Sequence, residues 1–501
     1  MTRPSSFCVS VLGTGSDVGK SVIATALCRI FRNRGFSTAP FKAQNMSNNS
    51  GVTLEGLEMG RAQIVQAEAA GVPAHVDMNP VLLKPSADSR SQAVVLGKAV
   101  REMSAADFYS QKKRFFDTAA RSLDRLRDKH DIIVMEGAGS CAEVNLMESD
   151  IVNLSMARHA RAPVILTADI HRGGVFAQIV GTLQCLGPDD RDRIAGFIVN
   201  RFRGDARLFD GGLKWIEEKT GKPVLGVLPW LDDVVIDPED SVAVENPPAP
   251  DMANLSSPAA AVIRLPRISN FTDFTPLSHL PGLALFFLEK PQKLDPFHAV
   301  ILPGSKNARR DLEWLKSTGW EAEIKRHAAA GGHILGICGG YQMLGRRLRD
   351  PGGADGSPGE SAGLGLLPVE TEMKRPKITT RVRFSWEGVP GFGYEIHMGR
   401  TVRLQGKGVF ETIGEDGVGR EEGCADASGR IMGVYIHGLF DNPKIIEKWA
   451  RKTGMGDVGA PDKGGLEWRD GQYERLARRF EAHVDVDAIM EWIPEAIRRG
   501  R

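Results

Sequence analysis

Cys338 ends an apolar run, His-Ile-Leu-Gly-Ile-Cys-Gly-Gly-Tyr-Gln-Met-Leu-Gly (333–345), with Gly336, Gly339 and Gly340 crowded around it. An apolar strand, a tight glycine turn and a helix-like segment hold a nucleophile in a strained elbow. A sulfur at a helix N-terminus is biased toward the reactive thiolate. A free Cys after a hydrophobic strand is more often a small buried core residue, but the clustered glycines favour the catalytic reading. A thiolate needs a proton shuttle, most often His. His437, in Met-Gly-Val-Tyr-Ile-His-Gly-Leu-Phe (432–440), also ends an apolar strand and precedes Gly. His397, in Gly-Tyr-Glu-Ile-His-Met-Gly-Arg (393–400), is the second choice.

A different chemistry stands at the other end of the chain. Residues 13–21 read Gly-Thr-Gly-Ser-Asp-Val-Gly-Lys-Ser, between a strand pattern and a helical one. In such a loop the backbone N–H groups around Gly15 and Gly19 cradle phosphates, Lys20 reaches the β- and γ-phosphates, and the Ser21 hydroxyl binds Mg²⁺. Five residues rather than four separate Gly13 from Gly19, so the spacing is not the strict Walker form. Nucleotide-bound Mg²⁺ also takes a carboxylate. Glu136, in Asp-Ile-Ile-Val-Met-Glu-Gly-Ala-Gly-Ser (131–140), ends a buried strand, where ligands of open parallel sheets collect. Asp17 and Asp169 are weaker metal candidates, Asp17 being equally suited to holding the loop's turn. The stretch 41–50, Phe-Lys-Ala-Gln-Asn-Met-Ser-Asn-Asn-Ser, offers the cation Lys42 and amide donors such as Asn45. Such a set suits carboxylate or phosphate oxygens of a substrate, and Arg172 serves the same purpose.

The elements that must position these groups are strands at 7–12, 132–135, 163–167, 194–199 and 223–228, separated by amphipathic stretches such as 22–32. That alternation predicts an α/β fold with a parallel sheet covered on both faces. The chain of 501 residues is too long for one core. A proline-rich break at 245–258 divides it, and strand signals resume at 261–264, 299–302 and 333–337. The expected division is a P-loop domain over 1–244, a linker over 245–260, a second α/β domain over 261–450 and a helical extension over 451–501. The extension is expected to pack on the second domain, and Gly- and Pro-rich 351–363 to form a surface loop. Hydrophobic residues make up 42% of the chain, charged residues 25%, and the net charge is +1. That balance gives no argument for bulk nucleic-acid or acidic-membrane binding. Six scattered cysteines indicate neither a disulfide framework nor a zinc site. No signal-peptide pattern or membrane-length apolar run is present, so the cytoplasm is the expected compartment.

Gly-Ile-Cys-Gly-Gly-Tyr-Gln-Met-Leu-Gly with the later Tyr-Ile-His-Gly-Leu-Phe resembles the triad-type (class I) glutamine amidotransferase domains, in particular the branch of cobyric acid synthase and cobyrinic acid a,c-diamide synthase. The phosphate loop and Glu-Gly-Ala-Gly (136–139) resemble the dethiobiotin synthetase-like ATPase fold. Further stretches at 41–50, 78–85, 172–177, 200–205, 303–307 and 393–399 are similar to the cobyric acid synthase family and span nearly the whole chain. The resemblance implies a C-terminal class I glutamine amidotransferase-like α/β domain that frees ammonia from L-glutamine through Cys338 and His437. It implies ATP as co-substrate with Mg²⁺, Asn200 at the nucleotide base, and backbone N–H groups of the elbow or of the 303–305 turn around the oxyanion. The implied reaction amidates four peripheral carboxylates (b, d, e and g) of the corrinoid adenosylcobyrinic acid a,c-diamide, giving adenosylcobyric acid, with no nucleic-acid or membrane partner. Two positions depart from the pattern. Leu439 stands where most triad amidotransferases carry Glu, which leaves the third triad member open, and His171 replaces an expected Asp and is assigned no role. Two alternatives remain: another glutamine-dependent amido-ligase, such as cobyrinic acid a,c-diamide synthase or a cell-wall precursor amidotransferase, and a P-loop ATPase switch. The switch proteins usually carry an extra lysine at the start of the phosphate loop, which is absent here. Oligomeric state is not addressed by any motif.

Overall fold

Every residue of the strand Phe7–Gly13 is buried, and the strand has parallel neighbours on both sides. Such a strand sees apolar helices on both faces, hence its near-continuous run of apolar side chains. The computed structural model describes residues 6–87, 90–239, 257–414, 417–456, 458–459 and 461–498. In the first domain the parallel order is Val224–Pro229, Ile194–Phe202, Val164–Asp169, Phe7–Gly13, Ile132–Glu136, Thr38–Phe41. The strand order reverses beside Phe7–Gly13, so the loops leaving the carboxyl ends of these strands surround one crevice. The helix Lys20–Asn33 starts immediately after the loop, with Gly19 at φ 97° as its cap, and buries Ile23, Leu27 and Ile30. A small second sheet (Gln44–Met46, Val81–Ala87, Arg90–Val95, Lys98–Ser104) extends the crevice wall.

The second domain is built on the order Ala284–Leu288, Ala259–Ile263, Ala299–Leu302, His333–Ile337, Ile431–Val434, Cys424–Ala425, parallel except for the last strand. The antiparallel hairpin Val369–Trp386 with Val389–Arg403 forms the spine of a mixed sheet beside it, in which Arg347–Asp350 pairs with Val369–Trp386 in parallel. The architecture is therefore the expected two-domain α/β arrangement. The linker region 245–256 lies outside the described residues. Within 351–363, Gly359–Ala362 is not loop but a short strand antiparallel to Arg347–Asp350.

The C-terminal helices bury their apolar face on the first domain and meet the second only at an edge, where Arg469 bonds Asp441 at 3.0 Å and Trp468 lies against His279. Tyr473, Leu476, Ala477 and Phe480 of the helix Gly465–Glu481, with Val484, Val486 and Ile489, share one buried cluster with Val9, Ile23 and Leu27. The Asp485 N–H donates to Leu225 O at 2.7 Å, and a Cβ on Gly226 would meet His483 O at 2.2 Å. The apolar stripe of Gly465–Glu481 thus covers the face of the first domain, a choice of partner that amphipathic spacing does not encode. Phe480→Ala is expected to cost about 3–5 kcal/mol. Thermal unfolding should show the lowered transition to be the one that nucleotide protects, with the second domain's transition unmoved.

Candidate functional site

At the first crevice, Glu136 is buried at the end of its strand and surrounded by hydrogen-bond donors. Its Oε1 accepts from Lys42 Nζ at 2.9 Å and from Ser21 Oγ at 2.8 Å, and its Oε2 accepts from Gln66 Nε2 at 2.5 Å. Burial alone would raise the Glu136 carboxyl, but Lys42, Gln66 and Ser21 hold it below the usual carboxylate range. Lys42 also donates to Glu239 Oε1 at 2.5 Å, and Ser21 Oγ lies 3.3 Å from Glu239 Oε2. Burial pushes the Glu239 carboxyl up, Lys42 opposes this, and nearby Glu136 adds to it. Lys20 Nζ folds back on Gly15 O and Gly139 O, each at 2.9 Å. Burial, with Lys42 nearby, lowers the Lys20 ammonium. A Cβ on Gly19 would sit 2.0 Å from Asn200 Nδ2, so the loop can close on Asn200 only as glycine.

The structure brings Lys20, Ser21, Lys42 and Glu136 together. Asn200 fastens the loop instead of facing open space, its Nδ2 donating to Val18 O at 2.9 Å. Asp17, at φ 55°, is half-exposed and pairs with Arg172 (3.0 Å) and Arg201 (2.9 Å). Asp169 is held by Arg201 and the His171 N–H. Asn45 is buried and bonded to Gln63. Gln66 and Glu239 were not anticipated. Glu239 comes from far along the chain, just before the undescribed segment, and carries no local motif.

The second centre is the elbow. Cys338 takes φ 51°, ψ −105° between the strand His333–Ile337 and the helix Gly339–Leu344, a backbone state that costs a side-chain-bearing residue of order 1–3 kcal/mol. The glycines make the turn possible. A Cβ on Gly340 would lie 1.9 Å from Leu302 O, one on Gly339 2.7 Å from Ser305 N, and one on Gly336 2.7 Å from Tyr341 N. The elbow therefore presses against the 302–305 turn, with the Ser305 backbone nitrogen beside Gly339. Cys338 Sγ contacts Ile396 O at 3.6 Å.

His437 follows the neighbouring strand Ile431–Val434, stacks on Tyr394 at 5.4 Å, and is completely enclosed. Its Nδ1 lies 2.6 Å from Asp273 Oδ2, and the Gly438 N–H donates to Asp273 Oδ1 at 3.0 Å. Burial disfavours the charged ring, but Asp273, together with Cys338, outweighs it and pushes His437 up to about 10. Asp273 sits in the short 3-10 turn Phe271–Phe274, whose two phenylalanines are buried anchors. Leu439, the position two beyond His437, is buried and apolar. Asp273 thus fills in space the position left open in sequence. Its only signal there is an acidic residue between two phenylalanines shortly after a strand. His397 is engaged elsewhere: Nε2 with Glu395 at 2.9 Å, Nδ1 with Gly399 O at 2.8 Å, and its ring on Tyr435.

The two centres meet across the domain boundary. Asn270 Nδ2 donates to Ser50 O (2.6 Å) and Tyr394 OH (2.9 Å), and Thr272 Oγ1 donates to Asn49 Oδ1 (3.0 Å). Lys377 and Lys84 both donate to the buried Glu58 carboxylate, from the second and first domains respectively. Among the described residues no three His, Cys, Asp or Glu side chains form a metal cage, and no helix is long and apolar enough to cross a membrane.

Residues 9–244 match the CobQ/CobB/MinD/ParA nucleotide binding domain, and residues 259–445 match the CobB/CobQ-like glutamine amidotransferase domain. Cobyric acid synthase of Chlorobaculum tepidum is 49% identical, with 96% of this chain and 97% of that protein covered. The cobyric acid synthase of Chlorobium phaeobacteroides is 48% identical (97% and 99% covered), and that of Syntrophobacter fumaroxidans 46% (95% and 97%). With a nucleotide-binding crevice in one half, a thiol elbow in the other and relatives that match both end to end, the chain belongs to the cobyric acid synthase family.

Proposed function

We propose that the chain is a glutamine-hydrolysing carbon–nitrogen ligase that converts adenosylcobyrinic acid a,c-diamide to adenosylcobyric acid, amidating peripheral carboxylates with ATP and ammonia drawn from glutamine. The observation that carries the amidotransferase half is the Cys338 elbow beside a histidine held by a buried carboxylate. A carboxylate is a poor acyl donor because oxide would have to leave. Transfer of the γ-phosphoryl group of ATP to the carboxylate oxygen gives an acyl phosphate and ADP, after which ammonia displaces phosphate and leaves the amide. Charge spreads over the transferred oxygens, so fixed cations lower the barrier. Lys20 and Lys42 are such cations. Ser21 and Glu136 offer two oxygens whose own contact is 2.8 Å. This sparse, hard-oxygen set suits Mg²⁺, which keeps waters and phosphate oxygens as its other ligands, and the ion would supply further charge compensation there. Lys42 and Arg172 are candidates for the corrinoid carboxylates, as is Asn45, which would have to turn out of its present bond to Gln63.

In the other half the Cys338 sulfur attacks the glutamine amide carbon, and backbone N–H groups of the elbow and of the 302–305 turn receive the oxyanion. His437 carries a proton to the departing nitrogen, which leaves as ammonia, and water cleaves the thioester to glutamate. Asp273 orients the ring. The pairing of a separate ammonia source with an ATP site favours this reading over a nucleotide switch, which has no use for the elbow.

Cys338→Ser should abolish glutamine-driven amidation while ammonium-driven amidation persists; undiminished glutamine use removes Cys338 from the mechanism. Glu136→Gln is expected to give the reverse, with ATP-dependent amidation down about a hundredfold or more and glutamine hydrolysis retained. Asp273→Asn should lower glutamine hydrolysis by about a hundredfold to ten-thousandfold, measured against unchanged ammonium use. His437 is raised from its ordinary 6.5 to about 10 in the folded protein. Its contribution to stability is therefore fully present below about pH 6.5 and lost as pH rises through about 10. Denaturant titrations across that window should show this slope in the parent protein and not in Asp273→Asn.

A further inference from the structure

The stretch 47–50 is bonded to both reaction centres. On one side Ser47 Oγ donates to Glu239 O at 2.6 Å and Asn49 Nδ2 donates to Pro238 O at 3.1 Å. On the other, Asn49 Oδ1 accepts from Thr272 Oγ1 at 3.0 Å, one residue before the Asp273 that holds His437. Ser50 O accepts from Asn270, which also bonds the hydroxyl of Tyr394, the ring stacked on His437. Asn49 is fully enclosed, with 1% of its surface exposed, so its amide has no solvent to turn to if either partner moves. A buried donor or acceptor that loses its partner is penalised for having left water, and the two ends of one amide group cannot shift independently.

The segment it grips on the nucleotide side is the one that nucleotide must disturb. The Glu239 carboxylate lies on Lys42 and Ser21, and Ser21 and Lys20 are the groups that a phosphate loop turns toward its phosphates. A nucleoside triphosphate brings several negative charges that compete for Lys42 and Ser21, the two groups on which the Glu239 side chain now rests. Attraction between phosphate and ammonium is strong in a water-poor crevice, so Glu239 must change its contacts.

We infer that Asn49 is a positioning residue that ties the occupancy of the nucleotide crevice to the alignment of His437, by bonding the Pro238–Glu239 backbone and the Thr272–Asp273 turn through one side chain. The inference rests on the two-centre reading above. When phosphates re-set Glu239, Pro238 O moves against Asn49, Asn49 against Thr272, and the carboxylate that orients His437 follows. Glutamine hydrolysis is thereby matched to a loaded crevice.

The test measures glutamine hydrolysis with and without a non-hydrolysable ATP analogue and Mg²⁺, in the full chain. The parent protein should change its kcat/KM for glutamine by about fivefold or more on adding the analogue, the lower range of typical site-to-site coupling. Asn49→Asp keeps the acceptor facing Thr272 but removes the donor to Pro238 O; Thr272→Val removes the opposite bond. Both variants should hydrolyse glutamine and use ammonium with ATP, and in both the response to the analogue should shrink to less than twofold. An unchanged response in either variant overturns the inference, as does a parent protein indifferent to nucleotide. Cys338→Ser separates the two failures: if it stops glutamine use, the two-centre reading stands even where the coupling through Asn49 falls.

Discussion

The second half of the molecule is organised around a pair of charges that cannot be left alone. Asp273 and His437 are both enclosed, and either one without the other would be a buried ion whose cost is several kcal/mol. At 2.6 Å each supplies what the other lost on leaving water. Much of the surrounding architecture serves to keep that distance fixed. Phe271 and Phe274 anchor the turn that bears Asp273, the Gly438 N–H takes its second oxygen, and Tyr394 covers the imidazole face. The elbow on the neighbouring strand then needs only its glycines to place a sulfur in the same corner.

The nucleotide crevice meets the same constraint differently. Lys42 lies in direct contact with both Glu136 and Glu239, so one cation serves two carboxylates. Glu136 has Gln66 and Ser21 as further donors and remains charged, whereas Glu239 has less support and is pushed toward its neutral form. A site in which one carboxylate is comfortable and the other is not is prepared to exchange contacts when a more strongly charged ligand arrives. The amidotransferase centre, with a matched pair, has no such imbalance.

Most strands of the first domain's central sheet, the inner strands of the second domain's, the phosphate loop and the elbow were legible in the sequence because each is a local pattern, an apolar run and, at the two sites, glycines whose crowding has one geometric use. Glu136 and Cys338 stand at strand ends, His437 just beyond one, and Lys20 and Ser21 open the helix that follows the first strand and its glycine loop. Asp273 and Glu239 were not legible because nothing local constrains them. Each is defined by what it reaches across space, from a turn in one case and from a long connection in the other. Asn200 and Arg172 show the converse. Their positions beside the crevice were apparent, but their side chains are engaged with Val18 and Asp17. The destination of the C-terminal helix was hidden for a similar reason, since an amphipathic stripe shows that a partner exists and not which one.

That destination has a consequence for the order in which the chain can become structured. The helix Gly465–Glu481 and the residues through Ile489 complete the same core as the strand Phe7–Gly13, almost the full length of the chain away. A ribosome delivers the first sheet early and its covering helix last. The amidotransferase core, whose buried cluster lies between Ala259 and Val458, is complete before that helix emerges. The domain that is begun first is therefore finished second, and its apolar face over Val9, Ile23 and Leu27 waits uncovered through the whole synthesis of its neighbour. Contacts so distant in sequence are slow to form and leave surface open to misassociation meanwhile. For a nascent chain of this family, the exposed hazard is the nucleotide-binding half and not the half that carries the Cys338 elbow.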